Sequence, residues 1–382
     1  MSRISVLSAF RASNGACTAA LETTARSISI VGQQQRTFTS TSQRNAKNIV
    51  HFTPTSSPEL DRTLSEIRTK IILPYYLPKV QRQRIYSLKW QKKLQADPIT
   101  IEIDGEVIKF RYQDPMKDVP NTARSLLKAI NLFETAEDFS NLRPLLEGMA
   151  KTDRDLRPDF WAMITRKAGM KGQIYQIIDC ARSARATGYL LDTGEKINEI
   201  LHWIQLKAVD AEWDQAETEQ ALRWAVMVVD MLEDEIHLVA RQKAGYNPGR
   251  EPTIPAAPMH LAAVLAARYE GDDKVVNLVQ KYAKQIIQSW PENKKFEDLQ
   301  PKAAPTEVQR PYEYIMERNK FVTLASPLLH SLDEAIKVVE PNMANQLQAR
   351  RDILAEEIKE ARKAIGPTTR GNSVYKKFYD DA

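Results

Sequence analysis

AEWDQAETEQALRWAVMVVDMLEDEIHLVARQK, residues 211–243, is the stretch that decides the fold. Ala221, Trp224, Ala225, Val228, Met231, Leu232 and Ile236 recur at helical spacing and place one apolar stripe along a long helix. From about residue 121 the same punctuation runs outward in both directions. Asn121 or Thr122 can cap a helix through Leu132, and Thr135 with Asp138 forms a variant capping box for the next. Pro158 suits a first turn and starts a helix over 159–168. Gly169 and Gly172 interrupt, a helix follows over 174–187, and Gly188 is its C-cap. Another helix covers 195–209. Pro248, Pro252, Pro255 and Pro258 make 245–258 a loop. Helices resume over 259–269 and 272–290. A polar connection covers 291–311, and a charged helix runs over 342–365. Short turns between successive helices predict a mainly α fold, an irregular helical bundle or short α-solenoid, over 113–365. Residues 366–382 read as a flexible C-terminal tail.

Upstream, the pattern changes. Ile99-Thr100-Ile101-Glu102-Ile103 alternates, Asp104-Gly105 follows, and Val107 to Tyr112 resumes the alternation. Asp-Gly between two alternating runs predicts a type I′ β-hairpin over 99–112. A lone hairpin is marginal and needs a surface to lie on. Residues 46–98 read as an extended basic arm with short helices at 59–72 and 79–94. Pro74 and Pro78 push the residues before them out of helix.

The first 45 residues carry Arg3, Arg11, Arg26, Arg36 and Arg44 against one acid, Glu22, in a Ser/Thr/Ala-rich background. That composition predicts a mitochondrial transit peptide. Arg36, Phe38 and Thr41 fit the two-step processing signature of matrix proteins, with a final cut near Asn45–Ala46. A matrix location follows. No apolar run approaches the roughly 18 residues of a membrane span. The whole chain has 54 Lys+Arg and 49 Asp+Glu, a net charge of +5 over 382 residues. Without residues 1–45 the net charge is +1, so most of the basicity belongs to the address.

The remainder is separated charge. Residues 68–93 hold eight bases and no acid: Arg68, Lys70, Lys79, Arg82, Arg84, Lys89, Lys92 and Lys93. Tyr75, Tyr76, Tyr86 and Trp90 are interleaved. Cations neutralise phosphates and planar rings stack on unpaired bases, so these twelve residues are the candidate RNA-binding set. A solvated basic face has the same composition. Residues 191–235 carry twelve acids against Lys196, Lys207 and Arg223, which repels RNA and suits solvent or a basic protein partner. Trp203, Trp213 and Trp224 read as core or interface anchors.

Other motifs carry less. Gly169-Met170-Lys171-Gly172 matches the backbone-clamping loop of KH domains, but the strands such a domain needs are absent nearby, which favours a plain interhelical turn. Glu199/His202 and Asp234/His237 have the i, i+3 spacing of di-iron bundles, yet the second begins with Asp; incidental polar pairs fit better. Cys180, the one cysteine beyond residue 45, reads as a small buried residue. The phosphate-binding, dinucleotide-binding, zinc-protease and serine-hydrolase signatures are missing. No catalytic residue, metal, cofactor or small-molecule substrate is expected, and the chain is not read as an enzyme.

Residues 159–192 loosely resemble one pentatricopeptide repeat, with Phe160-Trp161 at the start and Gly188 and Asp192 at the end. More broadly, three features together resemble the accessory proteins of fungal mitochondrial ribosomes: the processing motif at 36–41, the arm IILPYYLPKVQRQRIYSLKWQKK at 71–93 and the helical body. The resemblance is greatest to the helical, lineage-specific ones of the large subunit. It implies a structural role, with the arm on ribosomal RNA and the helices on neighbouring mitochondrial ribosomal proteins. Two alternatives stay open. One is a dissociable helical-repeat RNA-binding factor for mitochondrial translation or complex assembly. The other is a helical enzyme.

Overall fold

The computed structural model describes residues 49–154, 156, 158–269, 272–299 and 313–379. The expected transit peptide lies outside the described residues. The fold begins with α1 (Pro58–Ile67), which continues through a π turn at Arg68–Ile72 and a 3-10 turn at Leu73–Tyr76. Two short helices follow, α2 (Lys79–Ile85) and α3 (Gln91–Ala96). The hairpin is β1 (Ile99–Ile103) and β2 (Glu106–Phe110), antiparallel, with Ile101 opposite Ile108. Asp104 and Gly105 take φ of 52° and 80°, the left-handed pair that the type I′ turn requires.

The body is α4 (Thr122–Leu132), α5 (Ala136–Ser140), α6 (Leu142–Ala150), α7 (Pro158–Met170), α8 (Ile174–Arg182), α9 (Ala184–Thr187) and α10 (Gly194–Asp210). Then come α11 (Gln215–Met231), α12 (Glu235–Ala244), α13 (Thr253–Arg268) and α14 (Asp273–Ser289). It closes with α15 (Glu313–Met316), α16 (Arg318–Ile336), α17 (Pro341–Lys363) and α18 (Arg370–Tyr379). Packing passes from α1 to α4, α7, α10, α13 and α16 in turn. The result is mainly α, as the periodicity predicts. α13 and α16 are buried on nearly every side, and α14, α17 and α18 wrap them. A helix apolar nearly all round, as α13 is, belongs in a core, and it supplies the centre together with α16.

Local capping behaves as its chemistry dictates. The Asn121 side chain accepts from Arg124 N–H at the start of α4. Thr135 and Asp138 form the reciprocal capping box of α5. Burial alone would raise the Asp138 pKa, but N–H groups of Ser56, Thr135 and Glu134 aim at its carboxylate and bring it to about 2. Gly188 ends α9 with φ of 72°.

Three expectations are corrected. The long segment 211–243 is two helices, broken at Leu232–Asp234, where the Arg241 guanidinium turns back to donate to Leu232 O. Residues 245–258 are only partly loop, because α13 begins at Thr253 and takes in Pro255 and Pro258. Pro255 costs nothing in a first turn whose N–H groups have no intrahelical acceptor. Pro258 does forfeit a hydrogen bond, and the burial of Ile254, Met259, Leu261 and Val264 around it outweighs that loss. Residues 366–379 are not a loose tail. Val374 and Phe378 on α18 are buried against α16, and Arg370 makes a two-pronged ion pair with Glu199 at 2.6 and 2.9 Å.

Gly169 is set by close approach. A Cβ there would lie 2.1 Å from the Trp203 ring, where α7 crosses α10. Gly169→Ala is therefore expected to destabilise the fold by about 2 kcal/mol despite alanine's better helix propensity, read as a lower urea midpoint with an unchanged slope.

Candidate nucleic-acid interface

The basic segment does not trail as an extended arm. Leu73, Leu77, Ile85 and Leu94 close over Phe110 and Ile49 as a second small core, separate from that of the body. Ile99, Ile101, Ile103 and Ile108 supply the inner face of the hairpin. The hairpin thus finds the surface it needs in the helices that precede it. The prolines terminate short helical pieces, and the apolar residues between them pull the pieces together.

This folding sorts the twelve candidate residues. Arg68 is spent on structure: its Nε donates to Val50 O at 2.6 Å and its fork grips Glu106 at 2.6 and 3.2 Å. The hydrogen bond from Arg68 holds the Glu106 carboxyl below its usual range. Lys70 pairs with Glu66 at 3.1 Å. Arg82 pairs with Asp153 at 3.1 Å and lies 4.1 Å over the Tyr75 ring. The Tyr76 hydroxyl accepts from Lys151 Nζ at 2.8 Å. Tyr86 is half-buried, and burial raises its phenol pKa.

What remains is a set of five cations. Lys79, Arg84, Lys89, Lys92 and Lys93 are exposed and form no ion pair among the described residues. Arg84 and Lys93 lie over the half-buried Trp90 ring, at 4.7 and 5.4 Å from its centre. Val80 on α2 and Leu88 in the 3-10 turn between α2 and α3 are 60% and 70% exposed. Cations on short preformed helices need little ordering to meet a phosphate backbone, and Trp90 is a ring onto which a base can stack if Arg84 or Lys93 swings aside. The sequence shows the acid-free run but not Glu106, Asp153 and Lys151, whose partners are 38, 71 and 75 residues away.

The other candidates are accounted for structurally. Gly169 and Met170 are the last residues of α7, and Lys171–Gln173 make the turn into α8, with Gly172 at φ of 69°. Glu199 is held by Arg370, and His202 turns into the core. His237 Nδ1 accepts from Leu191 N–H at 3.1 Å, and its Nε2 lies 3.2 Å from Ala181 O, positioned to donate. Cys180 is fully buried, and burial pushes its thiol pKa far up. Among the described residues no group of His, Cys, Asp or Glu side chains is placed to hold a metal, and no helix is long and apolar enough to cross a membrane.

Comparison with known proteins places the chain. The family model described as "Mitochondrial ribosomal protein mS27" matches residues 36–380. The Neurospora crassa protein named "Small ribosomal subunit protein mS27" is 36% identical over 330 residues, covering 82% of this chain and 83% of the relative. These findings bear out the mitochondrial ribosomal resemblance and overturn the large-subunit expectation, since the relative is a small-subunit protein. Nothing in the residue chemistry of the arm distinguishes the two subunits, which is why that expectation failed. The family is one of ribosomal structural proteins rather than enzymes. With nearly the whole chain matched, the protein belongs to the mitochondrial ribosomal protein mS27 family.

Proposed function

We propose that this chain is a matrix protein that contacts ribosomal RNA of the mitochondrial small subunit through the α2–α3 surface and neighbouring ribosomal proteins through its helical body. Residues 1–45 serve as its import address and are removed. The observation that carries this reading is the cluster of Lys79, Arg84, Lys89, Lys92 and Lys93, exposed, unpaired and free of interspersed acids. The other bases of 68–82 are neutralised from within, so the surface offered to RNA is smaller and better defined than the segment's composition suggests.

A sucrose gradient of tagged protein from mitochondrial lysate tests the assignment. The wild-type chain is expected to travel with the small subunit at salt that strips loosely held factors. The variant with all five cations replaced by glutamine is expected to shift towards the top. A five-residue variant that stays with the subunit at the same salt would show that this surface does not hold the chain there.

A further inference from the structure

An open groove of about 1060 Å³ lies at the seam between the small N-terminal core and the body. One wall is the loop before α4, and the other is α4 with the start of α7. Tyr86, Met116, Leu127, Leu156, Phe160 and Met163 give it an apolar lining. Met116 is 90% exposed and Leu127 40% exposed, which is costly for side chains of this kind unless something covers them.

The loop wall is built rather than slack. Gln113 N–H donates to Ile85 O at 2.8 Å and ties the loop to the end of α2. Asp114 N–H donates to the Asp118 carboxylate and Met116 N–H to the Asp114 carboxylate, at 2.8 and 2.9 Å. Met116 is thereby presented at the rim. A preformed groove with a flexible thioether at its edge can accept a partner at small ordering cost.

The charge of the groove says what the partner must carry. Among the described residues its charged lining groups are Arg154 and Arg166. Arg154 donates to the hydroxyl of Thr122. Arg166 forms a long ion pair with Glu199 at 3.8 Å, beyond hydrogen-bond distance, and Arg370 holds both oxygens of that carboxylate. Two guanidinium groups on an apolar bed suit apolar side chains accompanied by a carboxylate. A phosphate backbone would leave the methionine, leucine and phenylalanine surface uncovered.

We infer that this groove seats a short apolar peptide segment of a neighbouring ribosomal protein, whose Asp or Glu pairs with Arg154 and Arg166. This rests on the proposed place of the chain in the small subunit. The test puts a benzophenone amino acid at position 116 of the full chain in mitochondria and irradiates purified small subunits. Gradient position reads membership and the adduct reads the groove, so the two fail separately. The expected adduct is one peptide from a ribosomal protein, rich in apolar residues and bearing Asp or Glu. The pair Arg154→Ser and Arg166→Ser is expected to cut its yield about tenfold while the chain stays in the subunit. Adducts on RNA, an adduct peptide lacking an acid, or no adduct from a chain that sediments with the subunit would each overturn the inference.

Discussion

Replacing Lys79, Arg84, Lys89, Lys92 and Lys93 together by glutamine is expected to weaken binding of the mature chain to transcribed small-subunit rRNA by on the order of 10³ at 0.15 M salt. The size follows from counterion release. Each neutralised phosphate adds about 0.9 to the slope of log affinity against log salt, which amounts to roughly fivefold per contact at that salt. The slope itself should fall by about 4.5, and that change is diagnostic, because a variant that merely misfolds loses affinity without a matched change in slope. The five residues lie on the surface, so each substitution should cost the fold only about 0.5 kcal/mol. Arg84 and Lys93 also give up their contact with Trp90. Arg82 belongs outside this set, because removing it strands Asp153 and uncovers Tyr75. A filter-binding titration across salt concentrations checks both numbers.

The second large effect is a loss of stability on mild acidification. His202 and His260 are almost wholly buried, His237 is buried, and His330 nearly so. Burial depresses the pKa of all four. Gln205 Nε2 lies 3.0 Å from His260 Nδ1, and His260 Nε2 lies 2.7 Å from His330 Nδ1. An amide nitrogen only donates, so His260 Nδ1 must accept and His260 Nε2–H must donate onward. A proton added at either acceptor would set N–H against N–H. Both ring nitrogens of His202 lack a hydrogen-bond partner among the described residues, and cationic Arg370 and Lys377 disfavour its charging further.

The unfolded imidazole takes up its proton near pH 6.5. A folded pKa below that value means the stability is intact above pH 6.5 and is lost as pH falls through it towards the folded value. Each proton excluded throughout that window is worth roughly 1.4 kcal/mol per pH unit, so stability is expected to fall between pH 7.5 and 5.5, with His202 and His260 contributing most because their pKa values lie well below the usual imidazole value. A typical total is only about 5–15 kcal/mol, so a loss of this kind is measurable. Urea unfolding at the two pH values measures it. His202→Leu should reduce the dependence with little loss at pH 7.5, because it replaces a buried polar ring by an apolar side chain.

What could be read in advance follows from the range of each interaction. The Asp104-Gly105 turn, the Thr135–Asp138 capping box and the Gly188 C-cap close within a few residues, so the local chemistry carries them. α13 violates local rules at Pro258 and forms because residues far along the chain bury it. α18 looks polar until α16 is beside it. The break after Met231 depends on the fold-back of Arg241, which periodicity does not register. At the candidate interface the same division holds. The acid-free run was visible, while the five cations left unpaired emerged only once Glu106, Glu66 and Asp153 had claimed Arg68, Lys70 and Arg82. The apolar groove gave no sequence signal, since Met116 and Leu127 come from segments that only the fold aligns.

The contact of the α2–α3 surface with ribosomal RNA is tested most directly by irradiating native small subunits and mapping nucleotide adducts on this chain. The account predicts adducts concentrated in peptides spanning residues 79–93, with Trp90 or its neighbours carrying the base. Adducts confined to other parts of the chain, with 79–93 unmodified, would contradict it.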